Sequence, residues 1–325
     1  MARADWTHEQ LVEGVASGDR RALARAISLV ENRDPRAAEL VRELYPRTGT
    51  AYAIGVTGPP GVGKSSLIAA LVRVERARGR SVGVVSVDPS SPFSQGALLG
   101  DRIRLADHFL DPGVFIRSMG TRGHLGGLAE ATLQALVLLD AAGKDVVFLE
   151  TVGTGQSEVE VIRIADTTLL VLMPGSGDSV QALKAGIMEI PDAIAINKMD
   201  HPGAKAMLAD VRSMLALDQR PDRGPQVPVL LTDAVRGEGV TKLVEALDDR
   251  LAALRAAGEL ERRRGANLAA EVFTLASSRA RAHLEASVAD DEELQRVLAA
   301  VEQRQLDPLS AVDEILRRVF RIADA

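Results

Sequence analysis

Three short stretches of the chain carry residue types that can do chemistry on a nucleotide. The first, Gly58-Pro59-Pro60-Gly61-Val62-Gly63-Lys64-Ser65, fits G-x-x-x-x-G-K-[ST]. Glycines at these steps let backbone N–H groups turn inward around phosphate oxygens, and the helix that follows adds its positive end. Lys64 is placed to reach the β and γ phosphates and the Ser65 hydroxyl to meet magnesium, with Ser66 beside them counted among the nucleotide-binding residues. The second stretch, Asn197-Lys198-Met199-Asp200, is an N-K-x-D tetrapeptide. A carboxylate at its last position accepts from the paired N1–H and N2–H donors of guanine, which adenine lacks, so Asp200 selects GTP over ATP. The Lys198 stem can lie over the base and Asn197 can tie this loop to the cradle.

The third stretch, Glu150-Thr151-Val152-Gly153, follows an apolar run and puts a carboxylate where magnesium's hydration shell would be held, with the Gly153 N–H able to sense a γ-phosphate. Thr154 follows where a water-orienting glutamine is common, so slow intrinsic hydrolysis is expected. Gln156 is a candidate substitute, equally a plain surface residue. Asp88, at a strand end before Pro89-Ser90-Ser91, is favoured as a second metal-side acid. For Asp101, turn formation is an equal account. Thr232-Asp233-Ala234 either closes the far side of the base or is a polar turn whose aspartate caps a helix.

These loops need strands and helices to hold them. Short β-rich runs at Ala51–Thr57, Ser81–Val87, Val114–Arg117, Asp145–Leu149, Thr168–Leu172, Ala193–Ile196 and Val227–Leu231 alternate with amphipathic stretches. That pattern predicts an α/β protein of the P-loop NTPase fold, its mostly parallel sheet covered by helices on both faces. Helical spacing through Leu11, Val15, Leu23, Ile27 and Val30, broken at Gly18-Asp19, predicts an N-terminal helical extension over 1–49. The GTPase domain then spans 50–252, and a C-terminal helical arm spans 253–325, where no strand signal returns.

Composition is that of an ordinary globular enzyme: 325 residues, 46% apolar, with 39 Lys and Arg against 45 Asp and Glu, a net charge of −6. The absence of cysteine excludes disulfides, thiolate metal sites and thiol catalysis, and fits a reducing compartment. Apolar runs are of strand length, so a cytoplasmic protein without membrane contact is expected, and the mild acidity argues against nucleic acid as main partner. The five histidines show no ligand spacing. Arg117 and Arg122 flank a glycine-rich stretch and can pair with phosphate or a partner, but exposed loop arginines are common and both stay outside the catalytic set, while Arg262-Arg263-Arg264 reads as a solvated helix face.

With these residues in view, the chain resembles the MeaB/ArgK family of P-loop GTPases. The resemblance rests on Val87-Asp88-Pro89-Ser90-Ser91, Gly100-Asp101-Arg102, Phe115-Ile116-Arg117-Ser118, Gly123-His124-Leu125-Gly126-Gly127 and Glu150 through Glu158, and runs over nearly the whole chain. It implies a GTPase with a glutamate at the Walker-B position, acting as a chaperone for an adenosylcobalamin-dependent acyl-CoA mutase such as methylmalonyl-CoA mutase. By the same resemblance Asp88, Asp101 and Glu150 surround magnesium beside Ser65. Lys184, in Gly175 through Lys184, belongs to a mobile switch and turns toward the nucleotide, although spacing alone reads it as a solvated helix lysine. Members are typically homodimers through their C-terminal helices, and an apolar stripe there can equally fold back on its own domain. Rival readings are a metallochaperone-type GTPase, disfavoured by the lack of cysteine and clustered histidine, an ATPase or kinase linked to basic amino-acid transport, disfavoured by Asp200, and a nucleotide-binding scaffold without turnover.

Overall fold

In a computed structural model, which describes residues 6–88, 105–120, 127–151, 163–175, 191–217 and 227–320, the β-rich runs become seven strands. They are β1 (Tyr52–Thr57), β2 (Val82–Asp88), β3 (Val114–Gly120), β4 (Val146–Thr151), β5 (Thr167–Leu172), β6 (Ala193–Ile196) and β7 (Val229–Leu231). All pair in parallel, in the order β3-β2-β4-β1-β5-β6-β7. From β1 the chain moves outward through β2 and β3, returns to β4, and then crosses to β5. β1 therefore lies between the two halves of the sheet, where the carboxyl ends of strands leave a crevice for a ligand.

Helices α1 (His8–Ala16), α2 (Arg20–Glu31), α3 (Pro35–Leu44), α4 (Lys64–Ala77), α5 (Gly127–Ala141), α6 (Ala204–Leu217) and α7 (Val240–Ala256) accompany the sheet. Alternation of side chains along each strand sends one set to each face. Ile54, Val56, Val84, Phe148 and Val171 meet Leu67 and Leu71 of α4 and Leu243 and Leu247 of α7. On the other face, Val85, Val87, Val147 and Leu149 meet α5, while Leu170 and Ile194 meet Val211 of α6. With both faces covered, the strands read as continuous apolar runs.

The N-terminal helices share this second face. Leu23, Ile27, Leu40 and Leu44 are fully buried in one cluster with Leu138, Leu139 and Phe115, so α1 to α3 extend the core of the sheet. Asp19, which interrupts the helical pattern in the sequence, caps α2: its Oδ1 accepts from the N–H groups of Arg21 (2.9 Å) and Ala22 (2.7 Å).

Asp34 caps α3 in the same way, accepting from the Arg36 N–H at 3.0 Å, and the Arg36 guanidinium closes on both carboxylate oxygens at 2.9 and 2.7 Å. The guanidinium first, and the backbone N–H second, hold the Asp34 carboxyl down at about 2. A carboxyl lowered on folding stabilises the fold above its unfolded value of about 3.9, and that contribution fades as pH falls toward 2. Asp34→Asn keeps a cap but removes the charge, so the urea midpoints of the two proteins should differ at pH 7 and converge by pH 2. A difference undiminished at pH 2 would contradict this assignment.

The chain divides into two compact units, Met1–Leu268 and Ala269–Ala325, the division falling within α8 (Glu259–Asp290). The second unit is helical, with α9 (Glu292–Glu302) and α10 (Pro308–Phe320) following α8. Leu294, Val297 and Ala311 are buried in it, and Asp291 caps α9 while receiving the Arg318 guanidinium at 2.7 Å.

Candidate active site

β1 ends at Thr57, and the chain turns through Gly58 to Gly63 into α4, whose first residue is Lys64. Two glycines of this turn are required by their neighbours. Gly58 has φ +143°, and a Cβ there would stand 2.1 Å from the Val171 carbonyl oxygen of β5. At Gly63, with φ +94°, a Cβ would stand 2.6 Å from Asn197 Nδ2. The turn is therefore packed against the Asn197-Lys198-Met199-Asp200 loop, and a side chain at 63 would separate the two.

Asn197 is the joint. Its Nδ2 donates to the Val62 carbonyl at 2.9 Å, and its Oδ1 accepts from the Ala234 N–H at 3.1 Å and the Thr232 hydroxyl at 3.3 Å. One buried amide thus ties three loops, each leaving the carboxyl end of a different strand. The helix after Thr232-Asp233-Ala234 starts at Val240 with Gly239 at its cap and no side-chain cap bond, so Asp233 does not cap it. Thr232 and Ala234 face Asn197, while Asp233 caps a turn, accepting from Val235 and Arg236 N–H at 2.9 Å each. Lys198 adopts φ +57°, uncommon for a residue with a side chain, and its Nζ lies 3.4 Å from the Gly61 carbonyl over the cradle. Asp200 stands exposed beside it.

On the phosphate side, buried Lys64 donates from Nζ to the Gly58 and Pro59 carbonyls at 2.5 and 3.2 Å. Glu150, 1% exposed near the end of β4, accepts from the Ser65 hydroxyl at 2.6 Å through Oε1 and from the Ser86 hydroxyl at 3.0 Å through Oε2. Asp88 is the last residue of β2, its Cα opposite that of Gly120. Asp101, Gly153, Lys184, Arg122, Thr154 and Gln156 lie outside the described residues. Among the described residues Pro59 and Val62 are buried, and Pro60 and Gly61 stand exposed at the rim of the turn.

Two arginine readings are corrected. Arg117 lies within β3 and turns to α2, its Nε donating to Glu31 at 3.0 Å and its Nη2 to the Ser28 hydroxyl at 3.2 Å, so it is ion-paired and only partly exposed. Of Arg262-Arg263-Arg264, only Arg262 fits a solvated face. Arg264 grips Asp166 at 2.6 and 2.7 Å, and Arg263 reaches Asp192 at 3.0 Å. Sequence spacing missed these pairs because the acids are 98 and 71 residues away. Ser86 was missed as well, and its only sign was a hydroxyl inside the run Val84-Val85-Ser86-Val87.

A parallel sheet whose central strand runs through G-x-x-x-x-G-K-S into a helix defines a P-loop nucleoside triphosphatase. The family model described as "Methylmalonyl Co-A mutase-associated GTPase MeaB" matches residues 23–289. A Pyrococcus abyssi protein that carries a GTPase name is 46% identical over 316 residues, 96% of this chain and 97% of that one. GTPase ArgK of Escherichia coli is 34% identical over 316 residues, 95% of this chain and 96% of that protein. The solved structure of an LAO/AO transport system kinase superposes with a TM-score of 0.73 at 28% identity, covering 98% of this chain and 99% of that one. The chain belongs to the MeaB family, and it is a GTP-hydrolysing enzyme.

Proposed function

We propose that this GTPase is a chaperone that couples its nucleotide state to cofactor loading, protection or reactivation of an adenosylcobalamin-dependent mutase, with methylmalonyl-CoA mutase as the partner. The observation that carries this reading is the match over 23–289 to a family described by its association with that mutase. A mouse relative named methylmalonic aciduria type A homolog, 32% identical over 326 residues, 95% of this chain and 79% of that protein, points the same way.

In this reading Gly58 to Ser66 cradle the phosphates, Lys64 neutralises charge developing on the β and γ phosphates, and Asp200 reads guanine with Lys198 over the base. Asn197, Thr232 and Ala234 keep the base loop seated on the cradle, as their mutual hydrogen bonds suggest. Magnesium is a hard cation that takes oxygen ligands and keeps several waters, and a buried carboxylate in contact with a P-loop serine is a donor set that fits it. Ser65 and Glu150 would hold it, with Asp88 and Asp101 beside them. Bound there, it would offset charge on the phosphate oxygens. Gly153 and Lys184 are assigned to the γ-phosphate side on sequence resemblance.

The helical arm over 253–325 is assigned to dimerisation. In its second unit, α8, α9 and α10 enclose an apolar groove of about 530 Å³ lined by Leu284, Val288, Leu298, Val312 and Ile315, with Leu298 and Val312 partly exposed. Such a face suits a second copy. No helix among the described residues is long and apolar enough to cross a membrane, and we place the protein in the cytoplasm.

The test is hydrolysis of GTP and ATP by the purified protein, alone and with a stoichiometric adenosylcobalamin-dependent mutase from the same source. Slow GTP turnover that accelerates with the mutase, with ATP inert, is expected. A GTP rate indifferent to the mutase would remove the partner, and ATP turnover matching GTP would restore the transport-kinase reading.

A further inference from the structure

We propose that Ser86 is a positioning residue for Glu150, holding one carboxylate oxygen so that the other presents to the magnesium side of the site. The proposal rests on the reading of Glu150 as the metal-side carboxylate.

Ser86 and Glu150 are Cα partners in the parallel ladder of β2 and β4. Alternation puts Ser86 on the same sheet face as Val82 and Val84, the face that carries α4 and the cradle. There it is 2% exposed, in a strand otherwise made of valines up to Asp88 apart from Gly83. A hydroxyl in such a place adds nothing to apolar packing, and its burial costs about 1–3 kcal/mol unless it is bonded. It is bonded to Glu150 Oε2 at 3.0 Å.

The need for such a bond follows from the length of glutamate. Compared with aspartate, Glu150 has one more methylene and one more rotatable bond between the backbone and its carboxylate. A site that depends on placement loses rate steeply with small displacements, about 100-fold for 1 Å. Oε1 receives the Ser65 hydroxyl at 2.6 Å, but Ser65 belongs to the cradle and has the nucleotide's metal to face. Ser86 has no part in the cradle, so its hydroxyl is the donor given over to the carboxylate. Together the two serines approach from a helix and a strand and fix the carboxylate plane.

The experiment follows release of a fluorescent GDP analogue from the full chain as magnesium is varied, for Ser86→Ala, Ser86→Thr and Glu150→Gln. Loss of a group that orients a metal ligand typically costs 10–100-fold in metal affinity. Ser86→Ala should therefore raise the magnesium concentration that half-maximally slows release by about tenfold or more. Release in EDTA should stay as in the parent, with only the modest fall in melting temperature expected when a buried carboxylate loses one donor, and Ser86→Thr, which restores the hydroxyl, should recover most of the shift. A merely structural serine would instead change release in EDTA as much as release in magnesium. If Glu150→Gln shifts the magnesium dependence while Ser86→Ala stays within twofold, the role of Ser86 is overturned and the metal reading stands. If Glu150→Gln also leaves it unchanged, both fall together. Should Ser86→Ala not fold, Ser86→Cys, similar in volume with a weak donor, carries the same expectation.

Discussion

Lys64→Ala should lose GTP turnover by about 100- to 1,000-fold, the usual cost of removing one preorganised charge or donor that faces developing negative charge. The site supports a figure of this size because the ammonium is buried and held by the carbonyls of its own loop, Gly58 and Pro59, on the inside of the turn. A charge presented from so constrained a place needs little reorganisation when phosphate charge builds. The fold should survive, since Lys64 opens α4 without contributing to the apolar clusters around Leu67 and Leu71. Single-turnover hydrolysis at saturating GTP, beside a melting curve, checks this. A variant that turns over within tenfold of the parent would remove Lys64 from the chemistry, and a variant that melts far lower would show that its role is architectural.

Asp166→Ala should destabilise the first unit by about 3 kcal/mol, because breaking a buried ion pair leaves its partner uncompensated, typically at a cost of about 3–5 kcal/mol. Asp166 sits just before β5 and is 4% exposed. Its Oδ2 accepts the Ala53 N–H of β1 at 2.9 Å, and both its oxygens take the Arg264 fork. Arg264 in turn donates to the carbonyls of Gly49 and Ala51, at 2.7 and 2.9 Å, where the chain approaches β1. Those two carbonyls remain after the substitution, which is why the lower end of the range is expected. Asp192 makes a parallel arrangement before β6, taking Arg250 at 2.9 Å and the Thr168 N–H at 3.0 Å. Urea unfolding of the two proteins measures the difference, and a loss below about 1 kcal/mol would mean that the pair is solvated in practice.

These pairs mark the limit of what the sequence disclosed. The inner strands were legible because they are buried on both faces and so appear as apolar runs whichever way alternate side chains point, whereas β3 and β7, at the two edges, are only partly buried. The strand ends were less legible. β3 continues past Arg117 to Gly120 because β2 is long enough to pair with it as far as Asp88. β7 begins at Val229 and not at Val227, Pro228 having no N–H to give to a ladder. The cradle and the N-K-x-D loop were legible because their chemistry demands fixed residues at fixed spacing. Their interlock through Asn197 and Gly63 was anticipated only as a possibility of Asn197, since it depends on β5 and β6 bringing residues 135 positions apart into contact. Arg263, Arg264 and Arg117 were misread for the same reason: a charge's partner is set by the fold, and local spacing shows only its neighbours along the helix.

The sharing of one apolar cluster by α1 to α3 and α5 also sets an order of events on the ribosome. Leu23, Ile27, Leu40 and Leu44 are made early, yet the side chains that cover them, Leu138 and Leu139, arrive about a hundred residues later. At elongation rates of 5–20 residues per second the N-terminal helices wait roughly 5–20 s with their apolar faces open. They are therefore the part of the nascent chain most in need of shielding, and the part whose exposure should report first when synthesis is slowed before α5.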